Sequence, residues 1–193
     1  VVKSYTNSSS KTLQLTSAAI LTAVGILIPL VMPIKIVIGP ASYTLGSHIP
    51  IVMAMFLSPV VALAVSVGTT LGFLMAGFPI VIVLRAFSHL VFATLGAIYL
   101  QKTQNSLGTI WKRQSFSLVI NLIHALAEVL IVYFVTAFGQ QNLDSNFFYT
   151  LFVLVGIGTL IHGMIDFELG YQFTKMLTNR THLNFDNFSR HHY

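Results

Sequence analysis

At 193 residues the chain has the length of one ordinary domain, but charged residues make up only 8% of it, against about 25% in soluble domains, while hydrophobic residues make up 55%. So few charges cannot cover a water-facing surface. This excludes a soluble globular or a disordered protein and leaves the bilayer as solvent for most of the chain. The absence of cysteine excludes a disulfide scaffold and thiolate chemistry, and the net charge of +5 is scattered between apolar blocks, as membrane topology rather than nucleic-acid binding explains.

Residues 1–12 are polar, Ser-rich and basic, and Leu13 to Met32 then runs without a charge. Twenty such residues reach about 30 Å, the thickness of a hydrocarbon core. The stretch is longer than the apolar region of a signal peptide and ends in Pro29 and Pro33, so a membrane helix over 12–32 is expected rather than a cleaved leader. A loop with Lys35, Gly39, Pro40 and Tyr43 follows. The next 36 residues, Ile49 to Leu84, lack charge but are broken at Ser58-Pro59 and at Gly77-Phe78-Pro79. They read as a short second helix over 47–57, a third over 59–76 and the start of a fourth over 79–100. A polar loop with Trp111, Lys112 and Arg113 precedes a fifth helix over 115–138, and a second polar loop with Asp144 precedes a sixth over 147–176. The expected fold is an all-α integral membrane protein of six transmembrane helices, a single membrane domain over 1–193.

Six crossings place both termini and the loop after the fourth helix on one side, with Lys3, Lys11, Lys102, Lys112, Arg113, Lys175, Arg180 and Arg190, and leave Lys35 on the other. Basic residues concentrate on the cytoplasmic side, so an N-in, C-in topology is expected.

Ionisable groups at membrane depth are costly and mark function by default. The last three helices each carry two at i, i+4 spacing: Arg85 and His89, His124 and Glu128, His162 and Asp166. That spacing sets each pair on one helix face, and three such faces turned inward enclose a polar cavity. Counted along the helices, Arg85 lies about 9 Å from the outer surface and Glu128 about 20 Å from the inner one, so the cavity opens outward. Asp166 and Glu168 fall in the inner half and are expected to be solvated or to meet a partner. Arg85 has two readings that can coexist, an ion pair with Glu128 and a fork holding a carboxylate bidentately. The histidines read either as interhelical hydrogen-bond partners or as ligand contacts. No H-E-x-x-H spacing is present, and no metal or other cofactor is expected. Without a G-x-x-x-x-G-K-[ST] loop the chain has no means of its own to use ATP, and without a G-x-S-x-G elbow an enzyme has no support. A self-sufficient secondary transporter or metal-ion channel built on the His and acid pairs is the alternative reading.

The whole chain resembles the substrate-binding S component of an energy-coupling factor vitamin transporter. The resemblance rests on its length, its six helices with a long first outer loop, and Ala19-Ile20-Leu21-Thr22-Ala23 in the first helix, similar to the family's A-x-x-x-A signature. It implies a bacterial cell-membrane protein that binds a vitamin from outside in a pocket of helices four to six and the outer loops. It also implies partners: a transmembrane coupling protein, docked through Ala19 and Ala23, and two cytoplasmic ATPases. The segments Lys35 to His48 and Gly77 to Arg85 look like S components of lactic acid bacteria that carry pantothenate or niacin. Both ligands are carboxylates, which suits Arg85, Lys35 and the histidines His89, His124 and His162. Asn121, Tyr43 and Glu128 can satisfy the hydroxyls and amide of pantothenate, placing it ahead of niacin, hydroxymethylpyrimidine and pyridoxine.

Overall fold

The computed structural model describes residues 2–103, 107–138 and 144–180. Residues 104–106 and 139–143 of the two polar loops lie outside the described residues, as does the tail beyond residue 180, whereas 177–180, expected to begin that polar tail, continue α7. The described chain runs α1 (Val2–Val31), β1 (Lys35–Ile38), β2 (Ala41–Thr44), α2 (Ile49–Leu57), α3 (Pro59–Met75), α4 (Ile80–Lys102), α5 (Ile110–Ala137), α6 (Ser145–Tyr149), a π-helical stretch (Thr150–Ile157) and α7 (Gly158–Arg180).

Among the described residues four helical runs are long and apolar enough to cross a membrane: Lys11–Val31, Ile80–Lys102, Ile110–Ala137 and Ser145–Arg180. α3 is a shorter apolar helix of 17 residues. The α1 helix reaches back to Val2, well before the expected start at 12, because neither glycine nor proline interrupts residues 2–24. α5 likewise starts at Ile110 rather than 115, where the Thr109 hydroxyl accepts from the Lys112 N–H and caps the helix.

The nine residues of α2 reach only about 14 Å and cannot span a bilayer. Ala54, Met55 and Phe56 in it are fully buried, so α2 is the central helix of the bundle, enclosed by protein. Ser58 ends it in extended backbone and starts α3 by accepting from the Val61 N–H, with Pro59 filling the first helical position. α1 and α3 approach closely where Gly68 and Gly72 lie four residues apart. A methyl group on Gly68 would come within 2.7 Å of Thr22, and one on Gly72 would overlap Ile26.

The residues expected to form a loop after α1 instead fold into an antiparallel hairpin, a small exception to an otherwise helical chain, with Lys35 opposite Thr44 and Ile38 opposite Ala41. Gly39, at φ +56°, and Pro40 make its two-residue turn, the arrangement a type II′ turn requires. Burial across the bundle is inverted relative to a soluble protein. On α5 the stripe Leu118, Leu122, Leu126 and Leu130 is exposed, while Ser117, Asn121, His124 and Glu128 are buried. That pattern minimises free energy only where lipid surrounds the helix and the polar side chains satisfy one another inside.

Candidate functional site

The hairpin closes one end of the bundle. The Tyr43 phenol on β2 donates to the Leu154 carbonyl of the π-helical stretch. Burial raises that phenol above its ordinary value of 10, which keeps it protonated and able to donate.

Beneath the hairpin, Arg85 of α4 and Glu128 of α5 meet at 2.9 Å with both side chains almost wholly buried. The guanidinium is fully engaged by protein acceptors at its two terminal nitrogens. Nη1 donates to the Pro40 carbonyl at 2.7 Å and to Ser42 Oγ at 3.3 Å, and Nη2 donates to Glu128 Oε2 and to the Ser42 carbonyl at 3.4 Å. Of the two sequence readings, the ion pair with Glu128 is present, and only Nε remains without a hydrogen bond. Glu128 Oε2 also accepts from the Thr159 hydroxyl at 2.6 Å. Its other oxygen, Oε1, lies 3.4 Å from both His89 Nε2 and His124 Nε2.

Asp166 of α7 is not solvated, contrary to the expectation from its place along the helix, but wholly buried. Its carboxylate accepts the backbone N–H of Gly46 at 2.8 Å and of His48 at 2.9 Å, and pairs with His48 Nδ1 at 3.0 Å. The physical reason lies in the turn that leads into α2, where the Gly46 and His48 N–H groups precede the helix and need an acceptor from outside it. A carboxylate from a neighbouring helix supplies the missing acceptor. Glu168, two residues on, faces the opposite end of the bundle and is partly exposed, paired with Arg113 at 3.0 Å and with Gln114 at 2.9 Å.

His48 is the residue that reading the sequence passed over. Its ring lies 4.8 Å from those of His89 and His124 and 5.0 Å from that of His162, so three histidines from three other elements converge on it. Its one signal was position: a polar ring just before the apolar run, with Pro50 in the first turn of the following helix.

A cavity of about 140 Å³ opens beside this cluster. Its polar wall is Ser42, Thr44, Ser47, His48, Arg85, His89 and Glu128, and its apolar wall includes Ile51, Phe73, Phe78 and Ile82. Lys35 stands exposed at its rim. Of the expected site residues, the cavity thus collects Arg85, His89, Glu128 and Lys35. It does not collect Asn121, His124, His162 or Tyr43. Asn121 bonds back to the Ser117 carbonyl at 2.9 Å, and His162 Nε2 lies 3.2 Å from Ser47 Oγ, just behind the wall. The cavity sits among α1 to α4 and the hairpin, with α5 contributing only Glu128, rather than among the last three helices. Ala19 and Ala23 are exposed on a face of α1 that also bears Ile20 and Leu27, away from the cavity.

The chain is 43% identical over 161 residues, 83% of its own length and 72% of the relative's, to the niacin transporter NiaX of Lactococcus lactis subsp. cremoris (strain MG1363). No family model matches the chain, and no solved structure gives a significant match. With a transporter as relative and several apolar helices of spanning length, the chain is a multi-pass protein of the cell membrane.

Proposed function

Since the chain belongs to the S-component family represented by the niacin transporter NiaX, we propose that it is the niacin-binding subunit of an ATP-driven importer of the energy-coupling factor type. The observation that carries this reading is a buried arginine at the wall of a cavity of about 140 Å³. Drug-sized ligands occupy roughly 300–1,000 Å³, so this cavity suits one ring with a carboxylate better than the longer chain of pantothenate. The relative's name and the cavity's size support niacin over pantothenate, the reverse of the order drawn from hydrogen-bonding groups alone. Hydroxymethylpyrimidine and pyridoxine lack the carboxylate that the positive groups call for.

In this reading Lys35 at the rim attracts the carboxylate, and Arg85 Nε and the hydroxyls of Ser42 and Thr44 receive it. The pyridine ring lies against Phe73, Phe78 and Ile82, with His89 on its polar edge. Glu128 holds Arg85 in place. The hairpin end faces outside and both termini face the cytoplasm, as the distribution of basic residues supports. Release into the cell then falls to partners: a transmembrane coupling protein that docks on the exposed Ala19 and Ala23 of α1, and two cytoplasmic ATPases that supply the energy. Among these partners this chain contributes no phosphate loop.

Calorimetric titration of the purified chain with niacin, nicotinamide and pantothenate tests the reading. Niacin is expected to bind one to one. Nicotinamide, which replaces the carboxylate by an amide, should bind about 10–150-fold more weakly, the loss of one charge-assisted interaction. Tighter binding of pantothenate than of niacin overturns the substrate, and no binding of any of the three overturns the role given to the cavity.

A further inference from the structure

Beside the ligand cavity, we propose a site for a divalent transition-metal ion of zinc type, held by His48, His89 and His124 with the free oxygen of Glu128. Four observations converge on it. First, one donor atom from each of the three histidines lies within 4.8 Å of the other two. Their rings sit edge-on to one another at centroid distances of 4.8, 4.8 and 4.9 Å.

Second, Glu128 divides its two oxygens. Oε2 is taken by Arg85 and Thr159, and Oε1 stands 3.4 Å from both His89 Nε2 and His124 Nε2. That is longer than a good N–H···O hydrogen bond of about 2.7–3.2 Å. It equals the separation of neighbouring ligands, about 3.4 Å, around a tetrahedral zinc with bonds of about 2.1 Å. A bound ion would draw the wider histidine separations toward the same value.

Third, His48 is prepared as a ligand. Its Nδ1 donates to Asp166 Oδ2 at 3.0 Å, which fixes the tautomer and leaves the lone pair on Nε2. A carboxylate behind a histidine in this way is the usual support of a metal-binding imidazole. Fourth, His124 is completely buried, and neither of its ring nitrogens makes a hydrogen bond with the protein. Buried polar groups normally have partners, and an orphan calls for one. Phe92 stacks on the ring at 4.4 Å, and His124 does not line the ligand cavity, so a ligand there does not reach it. An ion among the three rings does. The i, i+4 pair His124 and Glu128 is the one local spacing in the site, and its other donors come from the start of α2 and from α4.

The sequence tail carries three more histidines, His182, His191 and His192, so the test uses the full chain with these changed to Gln and any affinity tag removed. After chelator stripping, the protein is titrated with cobalt(II) chloride, followed by its visible d–d bands, and then with zinc chloride. Expected are one equivalent of four-coordinate cobalt, its displacement by zinc, and an X-ray absorption spectrum of the zinc form fitted by imidazole nitrogens. Asp166→Asn should weaken zinc binding about 10–100-fold, as loss of a supporting carboxylate does. His89→Gln should remove the four-coordinate cobalt bands. Absence of stoichiometric metal in the stripped and reloaded chain overturns the proposal without any change to the site residues. Unchanged bands in a folded His89→Gln chain overturn it as well, pointing instead to His48, His162 and Asp166. Niacin titration of the stripped chain is run in parallel, so that failure of the metal site and failure of the niacin reading are seen separately.

Discussion

Two arginine–glutamate pairs tie helices together in this bundle, and they differ in one respect. Arg85 and Glu128 meet at 2.9 Å with side chains 6% and 3% exposed, whereas Arg113 and Glu168 meet at 3.0 Å with side chains 14% and 32% exposed. The distances are nearly equal, so the chemistry of the pair does not separate them. Their surroundings do. Arg113 also lies over the Tyr171 ring at 4.4 Å, and Glu168 takes a hydrogen bond from the exposed Gln172, as befits a pair at the rim of the bundle. The inner pair is fenced by the hairpin, by Thr159 and by the histidines, and it borders a cavity. A charge pair kept out of water is weak evidence for stability, since desolvation offsets much of the attraction. Its position beside a cavity is what the proposed role in ligand recognition rests on, and the rim pair serves as the internal control.

The largest expected difference follows from removing one partner of each pair. Glu128→Ala strands a buried guanidinium and should destabilise the chain by about 3–5 kcal/mol. Glu168→Ala leaves Arg113 partly hydrated and should cost at most about 1 kcal/mol. Thermal unfolding of the two variants in the same detergent measures both, and similar losses would erase the distinction.

A smaller effect is expected at the hairpin that roofs the inner pair. Tyr43→Phe removes the donor to the Leu154 carbonyl and should cost about 1 kcal/mol. The sign of its pH dependence follows from the raised phenol. The folded chain holds the phenolic proton more tightly than the unfolded chain does, so the contribution is present below pH 10 and is lost as pH rises through the raised value. Unfolding midpoints compared across pH 8–11 should converge for parent and variant at the alkaline end. A gap that is constant across that range would contradict the role of burial.

The inner site was legible in part. The i, i+4 pairs Arg85 with His89 and His124 with Glu128 marked inward faces, because a charge in a lipid-solvated helix must turn inside, and the structure brings those four together. The short second helix was legible from Ser58-Pro59, and its seat in protein rather than lipid follows from its length. What could not be read was how far the first outer loop reaches. Periodicity placed no strand in residues 35–44, since an alternation of four residues against a two-residue turn is a weak signal. Yet that hairpin delivers Ser42 to Arg85 and sets Gly46 to His48 against Asp166. Counting depth along a straight helix left Asp166 to solvent or a partner, which ignored the segment after the hairpin that meets it. The same omission hid His48 and moved the cavity from the last three helices to the hairpin and α1 to α4.

The central claim is that the buried pair belongs to the niacin site and the rim pair does not. It is tested most directly by niacin titration of two double variants, Arg85→Met with Glu128→Leu and Arg113→Met with Glu168→Leu, each removing a whole pair so that no charge is left alone. The expected result is loss of niacin binding in the first, with a monodisperse folded chain, and unchanged affinity in the second. Niacin binding retained by a folded Arg85→Met, Glu128→Leu chain would contradict it.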